Sequence, residues 1–160
     1  MKQSTTLILP PYILLSAVLF FSSIASCTST PEPPPQTPNY TILAEGQHSG
    51  FTLQKTLLLE STNEFIQLWA IHTGSGQTPV PVIDFKTNVV VASFLGEQRT
   101  GGYSIQLDKV IEGDKDIQVL LKIKRPAPGS MRTMQITQPF VIFTLSKAQK
   151  PVIFKYSRKR

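Results

Sequence analysis

Five prolines fall among residues 28–39, TSTPEPPPQTPN, and neither a helix nor a central strand can be built across them. Each ring fixes φ and removes an amide donor, so the segment favours extended polyproline II geometry. At ~3.1 Å per residue it reaches about 37 Å, the span of a spacer. The chain is thereby divided. An apolar stretch lies before the prolines, and a body of 121 residues begins at Tyr40, enough for one core but not two. The apolar fraction of 41% is ordinary, but much of it sits in residues 7–25, which leaves the body moderately polar.

The stretch before the prolines reads as an address. Lys2 supplies a positive start, Leu7 to Ile24 an apolar run, and Ile24-Ala25-Ser26-Cys27 follows. This resembles a lipobox, in which small residues admit the signal peptidase and the cysteine sulfur takes a diacylglycerol. The one cysteine of the chain falls at the position that the motif requires. An ordinary signal peptide with a chance cysteine is the alternative. Pro10 and Pro11 interrupt the run, and its length is marginal for the ~20 apolar residues of a membrane span. Lipidated Cys27 would hold the protein on a membrane surface by acyl chains. Thr28, rather than Asp, follows it, which in the usual sorting pattern directs a lipoprotein to the outer membrane, facing the periplasm. The expected layout is a lipoprotein signal peptide over 1–26, a lipidated Cys27 and Pro-rich tether over 27–39, and one β-rich domain over 40–160 with a basic C-terminal tail.

Within that domain, Tyr40–Gln47 and Phe51–Glu60 read as a first strand pair, turned around His48-Ser49-Gly50. Ser61-Thr62-Asn63-Glu64 is a capping box. Behind it Phe65, Leu68, Trp69 and His72 recur at helical spacing, and Gly74 is the expected stop. Val89–Leu95, VVVASFL, is apolar on both phases, as in a central strand covered on two faces. Ile105 and Leu107, then Ile117, Val119, Leu121 and Ile123, alternate as half-buried strands around the turn Glu112–Asp116. Phe140–Leu145 and Pro151–Tyr156 complete the set. The pattern predicts a mainly β (α+β) fold, an antiparallel sandwich or rolled sheet of about seven short strands with one helix packed on it. Trp69, Phe65, Val90, Phe94, Val119, Leu121, Phe140 and Ile142 are the expected core.

The residues carry little catalytic chemistry. Once processed, Cys27 would be a thioether, so no thiol nucleophile is left. His48 and His72 have no nucleophile motif beside them. Asp114 and Asp116 share a turn without the spacing of a calcium loop, and a single cysteine excludes a Cys-based zinc site. Phosphate-binding glycine loops are absent, and the aromatic residues are not interleaved with basic ones as on nucleic-acid-binding sheets. The expectation is a protein that is not an enzyme, takes no cofactor or metal, and binds no nucleic acid. The net charge is +6, with Lys155, Arg158, Lys159 and Arg160 crowding the end of the chain.

Two loops stand out as candidate partner-binding segments. Glu97, Arg99, Thr100, Gly101, Gly102 and Tyr103 leave the central strand, where adjacent glycines permit a sharp turn and project charge and an aromatic ring. Tyr and Arg are enriched at binding hot spots, although the same string serves equally as a structural hairpin turn. Arg125, Pro126 and Met131 lie in a second, proline-stiffened loop, where stiffness lowers the ordering entropy on binding.

Several strings, in order, resemble the C-terminal domain family of PrcB-type protease-complex subunits. They are Gly46-Gln47-His48-Ser49-Gly50, Glu64-Phe65-x-x-Leu68-Trp69 and Pro81-x-x-Asp84-Phe85. Leu95-Gly96-Glu97-x-x-Thr100-Gly101-Gly102-Tyr103-Ser104-Ile105, Pro126-x-Pro128-Gly129 and Thr137-Gln138-Pro139 follow. The resemblance spans roughly residues 40–147. It implies a non-catalytic accessory protein that associates with, and stabilises, an extracytoplasmic peptidase. The Thr-Gly-Gly-Tyr loop is also similar to the Thr-Thr-Gly-Tyr loop of chagasin-type cysteine-peptidase inhibitors. A protein that docks on a secreted or envelope peptidase through loops 96–103 and 125–132 is therefore the leading expectation. The alternative is a surface lipoprotein whose basic body and tail bind anionic glycan or lipid headgroups.

Overall fold

The computed structural model describes residues 38–74 and 78–159. The expected signal peptide, Cys27 and most of the tether lie outside the described residues. Seven strands and one helix follow in the order β1 (Tyr40–Gly46), β2 (Lys55–Leu59), α1 (Thr62–Thr73), β3 (Asn88–Phe94), β4 (Ser104–Glu112), β5 (Ile117–Lys124), β6 (Phe140–Ser146) and β7 (Val152–Lys159). One sheet has the order β1-β6-β3-β2 and the other β4-β5-β7. The fold is mainly β, as expected.

The layering follows from β3 and β6, which are almost wholly buried and pair along their full length, Asn88↔Ser146 to Phe94↔Phe140. Successive side chains point to opposite faces, so each strand serves two cores. Val89, Val91, Val141, Phe143 and Leu145 meet Ile105, Val110, Ile117, Val119, Leu121 and Ile123 between the sheets. Val90, Ala92, Phe94, Phe140 and Ile142 meet Phe65, Leu68 and Trp69 of α1 on the other side. All eight expected core residues are buried. Helix, four-stranded sheet and three-stranded sheet thus form three layers.

α1 begins and ends where its sequence dictates. The Ser61 hydroxyl accepts from the Glu64 amide at 3.3 Å, and the Glu64 carboxylate reaches back to the Glu60 amide at 3.2 Å. Gly74 ends the helix in the left-handed conformation, its amide donating to the Ala70 carbonyl. A 12-residue helix is marginal alone. A cap contributes about 1 kcal/mol, whereas burying a side chain such as Phe65 or Leu68 contributes roughly 1.5–3 kcal/mol each. The sheet, more than the caps, holds the helix.

Three expectations are corrected. β1 and β2 do not pair with each other: β1 lies against β6 and β2 against β3, both antiparallel. The segment between them packs instead of turning tightly. Phe51 stacks on Phe94 with centroids 4.0 Å apart, and the Gly50 amide donates to the His72 carbonyl at 3.1 Å. A Cβ on Gly50 would collide with the Ile71 carbonyl, so this close approach needs glycine. The two strands apolar on both phases take the centre, and β1 and β2 are left at the edges.

Second, β7 runs parallel to β5, from Ile117↔Val152 to Lys124↔Lys159, in an otherwise antiparallel molecule. The chain crosses from β6 to the other sheet and arrives beside the start of β5, where the Ile117 amide donates to the Pro151 carbonyl at 2.9 Å. Lys150 fastens the crossing, its ammonium donating to the Glu112 carboxylate at 2.7 Å and to the Gly113 carbonyl at 2.9 Å. Third, the basic tail is no tail. Lys155, Arg158 and Lys159 belong to β7. A hydroxyl chain, Ser93 to Thr56 at 2.6 Å and Thr56 to Tyr156 at 2.8 Å, links β7 back to the four-stranded sheet. Edge strands β1 and β4 each carry a register shift, between Ile42 and Ala44 and between Leu107 and Lys109.

His72 is buried at the end of α1, edge-on to Phe140 and Trp69. Its Nδ1 has no hydrogen-bond partner among the described residues, and burial lowers its pKa from 6.5. Below pH 6.5 the unfolded chain therefore takes a proton that the folded chain resists. This contribution is fully present above the unfolded value and is lost as pH falls through it toward the folded one. Thermal melting should show the transition temperature falling from about pH 7.5 to about pH 5.5, and a His72→Phe variant should flatten that slope.

Candidate functional site

The glycine pair and the proline loop meet at one end of the sandwich. β3 continues through Leu95 and Gly96 into residues 97–103, while residues 125–139 connect β5 to β6. The two segments are stitched together by backbone. Gln98 and Thr137 exchange both hydrogen bonds, at 2.7 and 2.9 Å, and the Gly101 amide donates to the Thr133 carbonyl at 3.0 Å. The Thr137 hydroxyl, itself buried, donates to the Thr100 carbonyl at 3.4 Å.

The glycines are required by this approach. Gly102 has φ +91°, and a Cβ there would sit 3.0 Å from Cβ of Pro126; one on Gly101 would collide with the Thr133 hydroxyl. The structural reading of the Gly-Gly pair and its place in the candidate site therefore coincide. Within the proline loop, the Ser130 hydroxyl and the Arg132 guanidinium both donate to the Ala127 carbonyl, at 2.7 and 3.2 Å. The loop is tied to itself as well as stiffened by its prolines.

Between the segments lies a groove of about 490 Å³, lined in part by Gly101, Gly102, Arg125, Pro126, Met131 and Thr133. Five of the nine expected partner-binding residues are thus brought together: Gly101, Gly102, Arg125, Pro126 and Met131. Glu97 and Arg99 are exposed but do not line the groove, and Thr100 is half-buried. Tyr103 is also half-buried and packs against the inter-sheet core. It lines a separate cleft together with Arg125.

Residues 133–136, which continue the proline loop toward β6, were not singled out by the sequence. They are exposed, as are residues 131 and 132 before them. Met131, Met134 and Ile136 present 103%, 90% and 56% of their surface to solvent. The spacing of Met134 and Ile136 copies that of a half-buried strand, so no local signal marks them as surface. Large apolar side chains this exposed make the segment a candidate contact surface, where methionine adapts to varied partners.

A second surface feature is the outer face of the three-stranded sheet. The register sets Leu120 between Lys109 and Lys155, Lys122 between Gln106 and Ser157, and Lys124 beside Ser104. These positions alternate with the buried Val119, Leu121 and Ile123, so the lysines face away from the core. The Lys155 ammonium donates to the Gln118 side-chain carbonyl at 2.8 Å. Among the described residues, the one ion pair is Lys150–Glu112, and no three His, Cys, Asp or Glu residues gather as a metal site. No helix among the described residues is long and apolar enough to cross a membrane.

No curated protein and no solved structure matches the chain significantly. A family model does. It covers β3 to β6 and includes both loops of the groove, while the motifs before β3 lie outside it. The family whose model matches, over residues 89–146, is PrcB C-terminal, the family that the sequence motifs resemble.

Proposed function

We propose that this chain is a non-catalytic envelope lipoprotein that binds and stabilises or regulates an extracytoplasmic protein, a peptidase by family likeness. The family match supports a protease-associated accessory domain. The observation that carries the docking surface is the convergence of loops 96–103 and 125–136 on one groove beside the exposed Met131, Met134 and Ile136. No catalytic role is assigned to any described side chain. Glycines tie the loops to the scaffold, so the groove needs little ordering on binding, which favours affinity.

The test is capture from envelope extract by the full-length chain, with a photo-crosslinker placed at position 131. A discrete peptidase should be recovered by the wild type. Met131→Asp with Ile136→Asp should lower its recovery about ten-fold or more, with an unchanged melting curve because both side chains are exposed. Unchanged recovery would remove this surface from the proposal.

The anchor belongs to the same reading. We place a diacylglycerol on Cys27, with the protein on the outer membrane facing the periplasm; what supports it is the lipobox-like sequence and Thr28. Metabolic labelling with a palmitate analogue should mark the wild type and leave Cys27→Ala unlabelled. Equal labelling of both would refute the anchor.

A second reading has its own observation. The outward lysines 109, 122, 124 and 155 make a basic face suited to anionic headgroups or glycan. Each lysine near an anionic surface contributes about 1 kcal/mol, and rising salt screens it. On this reading, sedimentation with phosphatidylglycerol vesicles should fall steeply with salt and be lost in Lys122→Ala with Lys155→Ala. Point changes are the cleaner probe, because deleting residues 155–160 would remove most of β7. Retention that ignores salt would discard the reading.

A further inference from the structure

We infer that Arg125 and Arg158, with Tyr103, form a receptor for a single carboxylate presented by the protein partner. The inference rests on the partner-binding reading and gives the chemistry of what this end of the molecule takes. The cleft they line lies beside the groove and is far smaller, about 90 Å³. Leu95 and Ile123 of the inter-sheet core contribute its apolar lining, and Gln54, Gln98, Tyr103, Arg125 and Arg158 supply the polar groups.

The two arginines meet because of the unusual strand direction. Arg125 follows the last residue of β5, and the parallel register sets Arg158 of β7 opposite Ile123. An antiparallel β7 would have brought its apolar end, Val152-Ile153-Phe154, to this place instead. A basic residue outside the family match thereby joins two residues inside it.

The cleft is electrically incomplete. The ion pair of the described residues, Lys150–Glu112, lies at the other end of β5, and no acidic residue lines the cleft. Neither guanidinium, nor the Tyr103 hydroxyl, has a hydrogen-bond partner among the described residues, whereas the Gln98 amide is held by the Leu95 carbonyl at 3.4 Å. Two unpaired cations and a phenol around one small opening complement a planar anion. A guanidinium fork matches the two oxygens of a carboxylate, with charge-assisted bonds stronger than neutral ones. The size agrees: at about 90 Å³ the cleft has room for only a small group. That suits a carboxylate with a methylene or two, not a sugar ring or a nucleotide. Such a group comes from an acidic side chain or from the end of a peptide chain.

The test is NMR on the ¹⁵N-labelled full-length chain, following the arginine Nε–H signals at constant ionic strength. The probes are N-acetyl-glutamic acid α-amide for a side-chain carboxylate, N-acetyl-alanine for a chain end, N-acetyl-glutamine amide as the neutral form, and inorganic phosphate. The expected result is a saturable shift of the Arg125 and Arg158 signals with at least one carboxylate probe and none with the neutral amide. The tighter of the two carboxylates identifies the source. Binding should weaken about ten-fold or more in Arg125→Gln and in Arg158→Gln. Arg158→Lys, which keeps the charge and β7 but loses the fork, should weaken carboxylate binding as well. No saturation with either carboxylate, tighter binding of phosphate than of both, or the same shifts in the Gln variants would overturn the inference. Carboxylate binding lost in the variants while the peptidase is still captured at wild-type levels would overturn the link to the partner and leave the partner reading standing. Carboxylate binding that persists where no partner is captured would do the reverse.

Discussion

The two-sided burial of β3 and β6 is the constraint on which the rest of the molecule depends. A strand with polar residues on one face can lie at a surface. These two strands have almost none to offer, so each face must be covered by a separate layer. The helix covers one face with Phe65, Leu68 and Trp69, and the three-stranded sheet covers the other. Because the two strands are paired along their length, their ends are fixed together. The loop leaving β3 and the segment entering β6 therefore start as neighbours, and the Gln98–Thr137 bridge continues their pairing beyond the sheet. The candidate site is in this sense an extension of the core.

Much of the local structure could be read from the sequence, because it is encoded locally. Ser61 and Glu64 specify the start of the helix, Gly74 its end, and VVVASF, apolar on both phases apart from Ser93, a covered central strand. The hairpin of β4 and β5 follows from alternation on both sides of a polar turn. Pairing between distant segments was less legible. The string around Gly50 has the composition of a turn, yet its glycine is needed for contact with the Ile71 carbonyl, which no neighbour in sequence announces. The direction of β7 was hidden for a similar reason: a strand that crosses between sheets takes its sense from where the crossing lands. Alternation reports which face is buried and is the same for either direction.

The candidate site divides along the same line. Gly101, Gly102, Arg125 and Pro126 have conformational or chemical character that is plain from residue type alone, and they do line the groove. Met134 and Ile136 sit at alternate positions like core residues, and only the absence of a covering layer makes them surface. Arg158 has the composition of a solvated tail around it, and its place in a strand depends on the distant β5. Tyr103 is the reverse case: its sequence context suggests a projecting ring, yet it packs partly into the core, so its removal would test stability and recognition at once.

The four edges of the two sheets carry a further consequence. An open edge presents unpaired amides and carbonyls that can template another strand. Here β1 and β4 are each bent by a bulge, β2 is only five residues long, and β7 carries basic residues over its second half. Bulges, brevity and like charge each discourage lateral strand addition. The architecture thus guards its flanks against fusion with neighbouring chains, and leaves the end where the loops emerge as the surface without such guards.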